Sequence, residues 1–140
     1  VSGSSLRAVG WARSLPLDSD VKTARDWTRE HLRKLEWAAT SPETADAVLL
    51  TVSELVTNAH LHAHSSAQLV MTWDESCLHV AVHDASPDLP TPRPPSTERT
   101  GGRGMFLVDA LADDWEARPC PDGKTVIACF RPPTAPRDDH

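Results

Sequence analysis

The chain has 140 residues, enough for one compact domain and short for two ordinary ones. Its 39% hydrophobic and 24% charged residues form an ordinary soluble balance, sufficient for a buried core without disulfide staples. The formal charge of −6, with no long basic run, argues against nucleic acid or an anionic membrane as the partner.

Residues 1–10 read as a loose, Ser/Gly-rich end and residues 132–140 as a frayed tail, which leaves a single domain over 11–131. Trp11 to Leu17 is expected to be a short edge strand, stopped by Pro16 and Asp18. Asp18, Ser19 and Asp20 then offer N-cap oxygens for a helix from about Ser19 to Trp37, with Val21, Ala24, Trp27, Leu32 and Leu35 mostly on one face. Ser41-Pro42 marks the start of a second helix running to about His62. Its Val48, Val52, Leu55 and Ala59 recur at spacings of four, three and four and so form a core stripe.

Two strands follow, the first alternating Ala67, Leu69, Met71 and Trp73 with Gln68, Val70 and Thr72. The second sets Leu78, Val80 and Val82 against His79, Ala81 and His83, and the Asp74-Glu75-Ser76 link makes the pair an antiparallel hairpin. Five of the nine residues from Pro87 to Pro95 are proline, which predicts an extended loop over 86–100. Gly101-Gly102-Arg103-Gly104 follows, then a helix from Met105 to Ala112. A last hairpin joins Asp114–Arg118 to Lys124–Arg131 through Pro121-Asp122-Gly123. The order β-α-α-β-β-loop-α-β-β predicts a two-layer α/β sandwich, a mixed and mostly antiparallel sheet with helices on one face.

Cys77, Cys120 and Cys129 fall in no CxxC or Cys/His zinc spacing, and no basic region followed by an apolar run opens the sequence. No apolar stretch approaches the roughly 20 residues that cross a bilayer. The expectation is a cytoplasmic chain with reduced thiols and no membrane contact.

Glu54 and Asn58 are four residues apart, which places them about 40° apart on one edge of the second helix, and His62 continues that edge. A carboxylate there can accept a proton, and an amide carbonyl is a hard ligand suited to Mg²⁺. Asp84, at a strand end, can accept a hydrogen bond from an exocyclic amine such as adenine's. Gly101, Gly102 and Gly104 precede a helix, where backbone N–H groups and the helix N-terminus favour an anion, and Arg103 adds a cation suited to phosphate. Thr125 can donate or accept one hydrogen bond just after the last turn.

Taken in order, these segments resemble the GHKL (Bergerat) ATP-binding domains, over about residues 11–131, and most of all the stand-alone anti-sigma factor kinases of the RsbW and SpoIIAB type. Glu54-Leu-Val-Thr-Asn58-Ala-His-Leu-His62-Ala63 resembles the N box, and Asp84-Ala-Ser86-Pro87 sits where the G1 box belongs. Gly102-Arg103-Gly104-Met105 sits where the G2 box belongs, and Gly123-Lys-Thr125 lies near the final motif.

The resemblance implies an ATP-dependent protein serine/threonine kinase with ATP and Mg²⁺ as cofactors. Glu54 would be the general base and Asn58 the residue helping to hold Mg²⁺. Asp84 with Thr125 would read adenine. Gly102, Arg103 and Gly104, flanked by Gly101 and Met105, would close over the phosphates, with His62 near the phosphate end. The partners implied are a STAS-type anti-sigma factor antagonist and a sigma factor, without direct nucleic acid contact, and the resembling proteins often form homodimers. In the G1 box, Ser86 and Asp88 stand where the family usually has glycine. That departure favours an alternative, a catalytically weak or inactive regulatory module that acts by protein contact.

Overall fold

The computed structural model describes residues 9–61, 63–86 and 102–133. The proline-rich segment from Pro87, Gly101, His62 and both expected loose ends beyond these bounds lie outside the described residues. The elements run β1 (Val9–Leu15), α1 (Val21–Leu32), α2 (Glu36–Ala39), α3 (Pro42–Leu61), β2 (Ala67–Trp73), β3 (Leu78–Asp84), α4 (Gly102–Leu111), β4 (Asp114–Cys120) and β5 (Gly123–Phe130).

The five strands form one sheet in the order β1-β2-β3-β5-β4. Among the described residues the four pairings are all antiparallel, where the sequence predicts a mixed, mostly antiparallel sheet. Period-two alternation decides which side each residue faces. Leu69, Met71, Leu78, Val80, Val82, Val126, Ala128 and Phe130 are buried on the helix-facing side. The intervening Val70, Ala81 and Ile127 lie in register on the other. α3 supplies the helical half of the core through Val48, Val52, Leu55, Val56 and Ala59, the stripe its spacing predicts plus one neighbour.

The first helix departs from its expected length. It ends at Leu32, and the chain passes through an extended Leu35 (φ −104°, ψ 110°) before the short α2. No glycine or proline marks the break. The redirection buries Leu35 and Ala38 and brings the Trp37 ring to 5.2 Å from that of Trp73. Asp20 holds the N-cap position of α1 without a side-chain hydrogen bond, while Ser19 Oγ donates to Pro16 O at 2.6 Å.

The β2–β3 turn is fixed by one carboxylate. Asp74 Oδ1 accepts the backbone N–H groups of Ser76 and Cys77, each at 2.9 Å, while Glu75 adopts a left-handed φ of 76°. His79 Nε2 lies 3.1 Å from Asp74 Oδ2. The Cys77 N–H first, then the Ser76 N–H and His79, hold the Asp74 carboxyl well below the usual carboxylate range. A carboxyl that titrates lower folded than unfolded stabilises fully above the unfolded value, about pH 4. Its contribution is lost as the pH falls through the folded value. Acid unfolding followed by circular dichroism should therefore begin at higher pH in Asp74→Ala, with stability at pH 4 reduced less than at pH 7.

Candidate functional site

α3 carries Glu54 and Asn58 on a half-buried flank one turn apart. The direction of that flank follows from His60, which lies six residues beyond Glu54 and so about 240° around the helix. His60 Nε2 sits 3.2 Å from Leu15 O, on the edge strand β1, and α1 stacks on that same side through His31 against Trp11. Glu54 and Asn58 therefore face away from β1; α4 also packs against α3. Among the described residues neither side chain has a hydrogen-bond or ion-pair partner.

The C-terminal end of α3 is tied to the end of β3. His64 takes a left-handed φ of 50°, and the N–H groups of Ala63 and Ser65 close onto the carbonyls of Asn58 and Ala59, each at 3.2 Å. Ser65 Oγ then accepts the N–H of Ala85 at 3.0 Å. This bond sets the polar end of α3 beside Asp84, which precedes Ala85. α4 opens with Gly102, Arg103 and Gly104, and the first backbone N–H groups of a helix have no intrahelical partner. The Arg103 side chain lies outside the described residues.

Asp84 is buried at the end of β3, where its carboxylate accepts the Ser86 N–H at 2.8 Å. Lys124 Nζ lies 3.0 Å from Oδ1 and 3.0 Å from Oδ2, and the two side chains are only 10% and 5% exposed for Lys124 and Asp84. The pairing of Asp84 with Lys124 across β3 and β5 makes this contact direct. Gly123 brings the strands together: its φ is +149°, and a Cβ there would overlap Asp84 O and come within 2.7 Å of Ala85 Cα.

Several expected site residues fall elsewhere. Thr125 pairs with His83, so it points to the face opposite Asp84, with its Oγ1 3.1 Å from His83 Nδ1 and 3.4 Å from Cys120 Sγ. Asp84 and Thr125 are thus not brought together, because strand alternation sends adjacent positions to opposite faces. Met105, expected against the phosphates, is 3% exposed and its side chain packs in the core. His62 and Gly101 lie outside the described residues. The residue that does share Asp84's face is Lys124. Counting back by twos from Phe130, Ala128 and Val126 would have placed it there from the sequence.

The donor set suits a nucleotide triphosphate with a hard cation. Among the described residues a carboxylate and an amide without protein partners stand on one flank of α3, backbone N–H groups open α4, and a buried carboxylate lies at the end of β3. Asn58 offers one oxygen to Mg²⁺, an ion that takes most of its ligands from water and phosphate.

A two-layer α/β sandwich with this polar edge is the architecture of an ATPase domain. The sequence profile described as the histidine kinase-like ATPase domain matches residues 16–130, and the chain belongs to that family. Among solved structures it is similar to the RsbU and RsbW domains of Rv1364c from Mycobacterium tuberculosis, at 15% identity and a TM-score of 0.66. The match covers 88% of this chain and 32% of that one, so the chain spans about a third of that protein's length. No curated protein matches the chain in sequence.

Proposed function

We propose that the chain binds ATP with Mg²⁺ and passes the γ-phosphoryl group to a serine or threonine of a STAS-type anti-sigma factor antagonist. A sigma factor is the alternate partner, held when the antagonist is modified. This switch belongs in the cytoplasm, and a homodimer is its proposed working form.

The observation that carries this reading is the Glu54–Asn58 pair, one turn apart on a half-buried flank of α3 with no protein partner among the described residues. Phosphoryl transfer asks mainly for positioning and charge stabilisation. Glu54 takes the proton of the attacking hydroxyl. Asn58 holds the cation that neutralises the phosphates. The open N–H groups of α4 and the Arg103 guanidinium receive phosphate oxygens. Asp84 reads the purine amino group at the other end of the cleft. The family resemblance assigns His62 and Gly101 to phosphate binding as well.

A second reading is a regulatory module that acts by contact without transfer. It is favoured by Ser86 in a position where the family has glycine, and by the closed Asp84–Lys124 pair. Incubation with γ-labelled ATP, Mg²⁺ and a STAS-type antagonist separates the two. Label on an antagonist serine or threonine supports the kinase. Bound nucleotide without transfer supports the module.

A further inference from the structure

The Asp84–Lys124 pair is the most buried ion pair among the described residues. Asp84 lies at the end of β3, and both donors it has among the described residues come from this chain itself. Its Oδ1 accepts the Ser86 N–H at 2.8 Å, and the Lys124 ammonium bridges both oxygens at 3.0 Å. With 5% of the Asp84 side chain exposed, an incoming amine must compete with donors already in place. The Lys124 position is not an accident of a flexible side chain. Its Cα faces that of Asp84 across the ladder, and Gly123 presses the two strands together.

We infer that Lys124 is the affinity-determining residue of the nucleotide site: its ammonium occupies the Asp84 carboxylate that a purine 6-amino group would use, and ATP binds by displacing it. The inference rests on the reading of Asp84 as the base-recognising residue. An ammonium adds a full ionic attraction to its hydrogen bonds, which a neutral amine on the same carboxylate lacks. Removing it from a buried carboxylate also leaves two charges to be resolved elsewhere. A purine amine therefore competes at a disadvantage for as long as Lys124 stays in place. A neutral residue at 124 would remove that ionic competitor, with the Ser86 N–H still held by Oδ1.

The test is calorimetric titration of the full chain and of Lys124→Thr and Lys124→Gln with ATP. A parallel titration uses purine riboside triphosphate, which carries hydrogen in place of the 6-amino group. Lys124→Gln keeps a neutral donor to Asp84, so its carboxylate is not orphaned even if Lys124→Thr folds poorly. ATP is expected to bind roughly tenfold tighter to Lys124→Thr, about 1.4 kcal/mol, with an intermediate gain in Lys124→Gln. Purine riboside triphosphate should gain nothing, because it has no amine to compete for the carboxylate. Equal or weaker ATP binding in the folded variants overturns the inference while the nucleotide site stands. An equal gain for both triphosphates also overturns it, since the effect would then be structural. If neither the original chain nor any variant binds ATP, the base-recognition reading falls together with the inference.

Discussion

Replacing Glu54 with glutamine is expected to lower the rate of phosphoryl transfer by about 10²–10⁴-fold, the usual worth of a positioned general base. Nucleotide affinity should stay unchanged. The substitution keeps the shape of the side chain and removes its capacity to take up a proton. Glu54 stands half-buried on one flank of α3, and among the described residues it has no hydrogen-bond partner that glutamine would disturb. The core stripe of α3, Val48, Val52, Leu55 and Ala59, lies on the neighbouring face and is untouched. Single-turnover transfer to the antagonist, measured at saturating ATP and Mg²⁺, separates the chemical step from binding. A Glu54→Gln chain that transfers at the original rate would remove the residue from the reaction.

The second large effect concerns the fold at the base end of the cleft. Gly123→Ala should destabilise the domain by about 3 kcal/mol. For a chain of this size that corresponds to a fall in melting temperature of roughly 10 °C. Two causes act together. The residue has a φ of +149°, which side chains rarely adopt, and the added Cβ would overlap Asp84 O and meet Ala85 Cα at 2.7 Å and Ala85 C at 2.9 Å. Those are backbone atoms and cannot swing aside. Relief requires β5 to move off β3, which stretches the Asp84–Lys124 contact. ATP affinity should change along with stability in this variant, whereas a glycine substituted in an exposed turn would affect stability alone. Thermal unfolding followed by circular dichroism gives the first quantity and titration the second.

Much of the architecture could be read from the residues, and the exceptions have physical causes. α3 was legible because a proline start and a 4-3-4 apolar spacing agree with each other, and it runs from Pro42 to Leu61. The β2–β3 hairpin was legible because strict alternation ends in a three-residue link that suits a turn, and Asp74 supplies the turn's acceptor. The break after Leu32 was not legible. It depends on tertiary burial of Leu35 and Ala38 and on the Trp37–Trp73 contact, which local propensity does not encode. β1 lies two residues earlier than expected, at Val9–Leu15, because its bounds follow pairing with β2 and not the proline alone.

At the site, the Glu54–Asn58 flank was legible from helical geometry. Beside Asp84 the structure sets Lys124, where the motif reading assigned Thr125. Reading Gly123-Lys124-Thr125 as a motif drew attention to the threonine, while alternation along β5 assigns the inward position to Lys124 and sends Thr125 to His83. A shift of one residue in a strand exchanges faces completely.

A Glu54–Asn58 flank that faces the Mg²⁺-bound phosphates of ATP, as proposed, is tested by titrating the chain and Asn58→Ala with ATP in the presence and absence of Mg²⁺. Mg²⁺ is expected to strengthen ATP binding to the original chain, and this gain should disappear in Asn58→Ala. A chain that binds no ATP, or an Asn58→Ala chain that keeps the full Mg²⁺-dependent gain, would contradict that proposal.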